Sequence, residues 1–272
     1  MGGGGLGNEQ SVDVVTVVDT NGIASIEFAR PDRKNAFELN MLEDLSAALD
    51  ACVADPNVKA IILAGRGAHF SSGASPALMA KLRDATPLEV QGSVYGIAQG
   101  AARRLYNCPK PTIALVSGAA VTLGCELALA CDFRLIDETS FFQEAWIRLG
   151  LLPPLGGMFL LPRMIGVARA SEMILQGRRV KAEEAERIGL AHELVPADQL
   201  RTRGLELAQD LGSIPPQAYR LAKQGFHRGL ESTMETEWSA NALAQAVLMS
   251  TEDFAEGVAS VTERRAPGFV GR

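Results

Sequence analysis

What this sequence has little of narrows the field first. It has three histidines, His69, His192 and His227, and none is spaced from another as zinc ligands are, which argues against a metal site. Its four cysteines, Cys52, Cys108, Cys125 and Cys131, form no C-x-x-C pair, so they read as reduced, mostly buried thiols of a cytoplasmic protein. Basic residues are never dense: Arg103-Arg104, Arg178-Arg179 and Arg264-Arg265 stand alone in a chain of net charge −6. That pattern speaks against a nucleic-acid face. No signal peptide, no apolar run of membrane length and no Gly-Lys-Ser/Thr phosphate loop is visible, so neither membrane nor nucleotide-triphosphate chemistry is expected.

What is present is enough apolar material, 47% of 272 residues, to fill one large domain, with or without a small appendage. The glycine-rich start, residues 1–11, reads as a flexible tail. Val12 to Val18 and Ile23 to Ala29 read as strands around the turn Asp19-Thr-Asn-Gly22. Leu42, Leu45, Leu49 and Val53 share one face of a helix over 41–53. Val58 to Ala64 is β-branched and short, as a fully buried strand is, and small residues crowd the loop after it, Gly65 to Ser75. The segment 76–106 mixes helical stretches with glycines. Thr112 to Val116 and Phe133 to Ile136 read as strands, 160–175 and 181–189 as helices, and 198–263 as mainly helical with a break at Ile214-Pro-Pro216. Strands alternate with helices until about residue 196, and helices dominate 197–272. The fold class is therefore α/β with a helical C-terminal region.

The stretch Ser117 to Asp132 carries the chemistry. Small residues lead from a strand into an apolar segment that reads as a buried helix, and Glu126 lies just inside its start. A helix start offers free N–H groups and a dipole that favours negative charge. Free donors beside a carboxylate suit a reaction in which an oxyanion develops next to a proton transfer. A glutamate in a first helical turn also has a plain structural use, as dipole complement or cap.

Three stretches together resemble the crotonase (enoyl-CoA hydratase/isomerase) superfamily. Val58 to Ala74 looks like its strand plus F-x-x-G-A motif, Gly118 to Asp132 like G-x-A-x-G-G-G-x-E-L-A-x-x-C-D, and Phe142 to Gly157 like F-x-x-x-E-x-x-x-G-x-x-P-x-x-G-G. Arg30 to Ala36, Ala182 to Val195, Glu252 to Gly257 and Arg264 to Phe269 fit as well. The resemblance implies a spiral of ββα units over 12–196 and a helical trimerisation region over 197–272, assembled as a homotrimer or a hexamer of two trimers. It implies an acyl-CoA substrate and no permanently bound cofactor, the coenzyme A arriving with the substrate in lipid or related acyl-CoA metabolism. It assigns the backbone N–H groups of Ala74 and Leu123 to an oxyanion hole and Glu126 to proton transfer. Lys34, Asn35, Ala36 and Ser72 would meet coenzyme A, with Arg265 reaching in from a neighbouring subunit. Thr122, Trp146 and Pro154 would line the acyl pocket.

The sequence departs from that pattern where many of the family's hydratases carry a second glutamate. Aligned on Gly150, Pro153, Gly156 and Gly157, that position is Trp146. Glu144, two residues earlier, would point the other way in an extended segment. Thr122-Leu123-Gly124 stands in place of three glycines, and Ser75 in place of an Asp frequent after the Gly-Ala pair. A positioned acid or base is worth about 10²–10⁴-fold. Hydration with one carboxylate thus requires Glu126 to make both transfers. A single-carboxylate isomerase, decarboxylase or thioester hydrolase, or an acyl-CoA binder without activity, are the alternatives. Trp146 also resembles the family's haloaromatic dehalogenases, but the nucleophilic Asp they need is replaced by Pro154.

Overall fold

The structure is a computed structural model, and it describes residues 13–272; the tail expected over 1–11 lies outside the described residues. Strands β1 (Val14–Val18) and β2 (Ile23–Phe28) form the expected antiparallel hairpin, with the Asp19 carboxylate accepting the N–H groups of Asn21 and Ile23 to fix the turn. Strands β3 (Ala60–Gly65), β4 (Thr112–Val116), β6 (Phe133–Asp137) and β9 (Glu193–Val195) extend this sheet in parallel, in the order β1-β2-β3-β4-β6-β9. A second sheet holds the short strands β5 (Ala119–Val121), β7 (Phe141–Gln143) and β8 (Arg179–Lys181). Pairs such as β4–β5 and β6–β7 thus give one strand to each sheet before a helix closes the unit, a repeat without a sequence period.

Both faces of the large sheet are covered, which is why β4 is buried along its whole length. Helix α8 (Leu200–Gly212) covers one face through Leu200 and Ala208. The larger core lies on the other, around α1 (Leu39–Ala54), α4 (Gln99–Tyr106), α5 (Leu123–Ala130) and α6 (Gly157–Gln176). All eight residues of α5 are buried, so it is apolar all round rather than striped, with Glu126 its one ionisable exception besides the Cys125 thiol. Between β3 and β4 the chain forms α2 (Pro76–Asp84), α3 (Pro87–Gln91) and a π-helical stretch, Gly92–Ala98, that runs into α4. Helix α7 (Ala182–Arg187) precedes β9.

The last helices, α9 (Pro216–Gly229), α10 (Met234–Leu248) and α11 (Glu252–Glu263), follow the expected break at the prolines. Asp132, just after α5, anchors them. Its carboxylate accepts the Thr112 N–H and hydroxyl, the Tyr219 hydroxyl at 3.0 Å and the Lys223 ammonium at 2.8 Å. The pair is enclosed, its side chains 11% and 7% exposed. Breaking one partner of a buried ion pair leaves a bare charge and costs about 3–5 kcal/mol. Lys223→Met is expected to lower the denaturant-measured unfolding free energy by that much; a loss under about 1 kcal/mol would mean a pair as weak as those on surfaces.

Candidate active site

Two loops meet under the cavity that opens between α2, the π-helical stretch and the 149–154 segment. The first is the small-residue loop after β3. Ser71 is stitched to β5: its N–H donates to the Ala119 carbonyl, and its own carbonyl accepts from Val121. Two residues on, the Phe37 N–H donates to the Gly73 carbonyl and the Ser75 N–H to the Phe37 carbonyl. The N–H of Ala74, between these bonded neighbours, has no partner among the described residues. The second loop is the turn from β5 into α5, where the Thr122 N–H donates to the Gln143 carbonyl. Leu123 is the first helical residue, so its N–H has no carbonyl one turn back to bind.

The two loops touch where Gly73 meets Thr122. Gly73 has φ +93°, and a Cβ there would lie 2.8 Å from the Val121 carbonyl oxygen and on top of the Thr122 hydroxyl. Thr122 itself sits at φ 48°, ψ −114°, a region costly for a β-branched residue, of order 1–3 kcal/mol. The strained turn brings the start of α5 against the loop that carries Gly73. Ala74 and Leu123 line one cavity of about 600 Å³ together with Trp146 and Pro154. Its remaining walls are chiefly aliphatic, among them Leu78, Met79, Val94 and Leu152. The Gln99 side chain donates to the Pro154 carbonyl at 2.7 Å and ties α4 to the far wall.

Glu126 lies behind this wall, not on it. It is 1% exposed, and three donors hold its carboxylate: the Leu155 N–H at 2.6 Å, the Gly157 N–H at 2.9 Å and the Trp146 indole N–H at 3.2 Å. Burial raises its pKa and the three donors lower it; the balance is a value pushed up to about 7. A carboxyl that titrates near neutrality can serve as acid or base. Trp146 lines the cavity and donates its indole N–H to Glu126 behind it, so it both packs and walls that space.

Glu144 does not point away from the site. Strand β7 ends at Gln143, and a short 3₁₀ helix, Ala145–Leu149, begins directly after it, so the alternation of an extended chain stops one residue too early. The Glu144 carboxyl is fully buried beside Glu126, and neither oxygen has a hydrogen-bond partner among the described residues. Burial first, then the neighbouring Glu126 charge, hold its pKa well above the carboxylate range. The amides of Leu155 and Gly157 were the part hidden in the sequence; the Gly156-Gly157 pair, where backbone can approach closely, was the signal for them.

Of the other expected site residues, Lys34 and Ser72 are neighbours: the Ser72 N–H donates to the Lys34 carbonyl, and Lys34 is exposed. The Asn35 side chain is turned into the protein. It is fully buried; its side-chain carbonyl accepts the Arg30 N–H and its amide donates to the Arg66 and His69 carbonyls, so it fastens the loop. Ala36 is buried next to it. Thr122 packs under the cavity and is not among the residues that line it. Ser75 caps α2 through the Leu78 N–H and donates to Glu38. Arg265 lies after α11, paired with Glu256 and Glu263. His69 and His192 accept main-chain N–H groups, and His227 stacks on Tyr106.

The enoyl-CoA hydratase/isomerase family model matches residues 19–272. A Rhodobacter capsulatus protein named "Probable enoyl-CoA hydratase" is 35% identical over 93% of this chain and 96% of its own length. A "Short-chain-enoyl-CoA hydratase" of Clostridium acetobutylicum is 31% identical over 92% of this chain and 95% of its own length. The crystal structure of an enoyl-CoA hydratase from Bacillus anthracis superposes with a TM-score of 0.90 at 31% identity, covering 96% of this chain and all of that one.

The buried carboxyl makes a stability prediction. Glu126 is easier to protonate folded than unfolded, so the folded state holds the extra proton between the ordinary carboxylate pKa and about 7. Stability contributed by this group is therefore present at acid pH and declines as pH rises through that window, by about 3 kcal/mol in all. Denaturant titrations from about pH 5 to pH 8 are expected to show a steeper decline in the wild type than in Glu126→Gln, where buried Glu144 alone remains to contribute one; equal slopes would place the Glu126 pKa at its ordinary value.

Proposed function

This chain belongs to the enoyl-CoA hydratase/isomerase family, and from that premise we propose that it is a hydratase-type enzyme acting on an acyl-CoA thioester. The thioester carbonyl oxygen would accept the Ala74 and Leu123 N–H groups, and Glu126 would move the proton at the neighbouring carbons. The observation that carries this reading is the pair of unpartnered N–H groups lining one apolar cavity, with a carboxyl that titrates near neutrality directly behind it.

The physics favours this use. An enolate oxygen bears nearly a full charge, and fixed donors lower its energy without reorganising; one such donor is worth roughly 3–4 kcal/mol of barrier. Coenzyme A would run past Lys34, Ser72 and the backbone at Ala36 on the same side. Arg265 would complete that site from a second subunit. Apolar side chains exposed on α10 and α11, such as Trp238, Leu243 and Val258, suit a trimer or a hexamer. The four buried, unpaired cysteines suit a reducing, cytoplasmic setting.

A second reading has its own observation. Trp146 stands where a second glutamate would be and covers Glu126, which is 1% exposed. That arrangement suits a single-carboxylate isomerisation, or an acyl-CoA binder that does not turn over.

Hydration of 2-enoyl-CoA substrates separates these readings. Glu126→Gln is expected to lower kcat by about 10²–10⁴-fold while acyl-CoA binding stays within a few-fold. Equal turnover in both proteins would remove Glu126 from the mechanism, and tight binding without turnover in the wild type would favour the binder. The aliphatic cavity also predicts that kcat/KM rises with acyl length, about fourfold per methylene until the space is filled; a preference for four-carbon substrates would contradict it.

A further inference from the structure

Glu144 is a buried acid with no evident use in the fold. A buried polar group left unpartnered is destabilising, and an apolar side chain of similar size would avoid that cost. Its surroundings explain what the cost supports. Gly157, the residue whose N–H holds Glu126, has no side chain to fill the space between the two acids. A Cβ at Gly157 would lie 3.2 Å from Oε2 of Glu126 and 3.3 Å from Oε1 of Glu144. The three N–H donors beside the pair serve Glu126 and none serves Glu144. Two adjacent carboxyls in such a place do not both ionise. The charge therefore belongs on Glu126 and the proton on Glu144.

Few other groups act on the pair. Cys125 on α5 is a buried thiol, a weak donor that bears on Glu144 and whose own pKa the Glu144 carboxyl helps to raise. The indole of Trp146 comes from the turn after β7, and the amides of Leu155 and Gly157 from the start of α6. Arg148, the cation of that turn, lies against Gly177, and Arg179 of β8 lies over the Phe141 ring. Among the described residues, no cation bears on Glu144.

We propose that Glu144 is a positioning residue that acts through Glu126: the two carboxyls share one proton, which passes between them by way of a water molecule in the space beside Gly157. In each passage the O–H bond on Glu144 breaks as one forms on the water, an O–H bond of the water breaks as one forms on Glu126, and the negative charge moves the opposite way. A lone carboxyl enters a reaction in one protonation state. A pair that shares a proton offers both the acid and the base form of Glu126, which is what a site with Trp146 in place of a second glutamate lacks. The inference rests on the reading of Glu126 as the group that moves the proton.

Two measurements test it, one of them independent of turnover. Infrared spectra of the resting protein, recorded in H₂O and D₂O above neutral pH, are expected to show the carbonyl stretch of an un-ionised carboxylic acid that Glu144→Gln removes. No such band in the wild type, or the same band in Glu144→Gln, overturns the shared proton whatever the enzyme's substrate. In turnover, the wild-type kcat/KM is expected to fall on both the acid and alkaline sides. Glu144→Gln should lose the alkaline limb and about tenfold or more in kcat, with KM within about twofold, a smaller loss than that of a group meeting the substrate. Gly157→Ala, which puts a methyl between the acids, should lose kcat similarly. Wild-type kcat and an unchanged two-limbed profile in Glu144→Gln would refute the role while leaving Glu126 in place.

Discussion

The contact between Gly73 and Thr122 sets the rest of the site. Space there admits one side chain, that of Thr122, and the other loop must be glycine with a positive φ. Each loop is separately fixed to a sheet or a neighbouring segment, through Ser71 to β5 and through Thr122 to Gln143. Two N–H groups, of Ala74 and Leu123, are then left over by hydrogen bonding that satisfies everything beside them. Both are main-chain groups left free by backbone packing, so no side chain has to be held in place to supply them.

A second layer is built behind the first from the same elements. Helix α5 can be buried on every side because its residues are small or apolar, and that burial is what raises the proton affinity of Glu126. The Leu155 and Gly157 amides, with the Trp146 indole, limit the rise and keep the carboxyl usable near neutrality. Asp132, just past the other end of the same helix, is used differently. Four donors, one of them charged, converge on its carboxylate and bind the C-terminal helices to the sheet. One short helix thus carries an acid suited to chemistry near its start and an acid for architecture just beyond its end.

The hairpin, the parallel strands and the C-terminal helices were legible in the sequence because periodicity and turn chemistry agree with the tertiary fold there. The motif glycines also marked where the loops approach. What stayed hidden were short segments whose direction depends on a neighbour. Strands β5 and β8 have three residues each, too few for a pattern to show. Glu144 was placed wrongly by an alternation rule because the strand ends at Gln143. The burial of the Asn35 side chain depends on the carbonyls of Arg66 and His69, far away along the chain. The seat of Glu126 behind Trp146 needs three segments at once, and the sequence presents each separately.

Function, on this reading, turns on the Ala74 and Leu123 amides gripping the thioester oxygen. Difference Raman or isotope-edited infrared spectra of an enoyl-CoA bound to the protein read that grip directly. The thioester carbonyl stretch is expected to move to lower frequency on binding, as two donors draw charge onto the oxygen. A bound carbonyl with the frequency it has free in water would contradict the grip and the mechanism built on it.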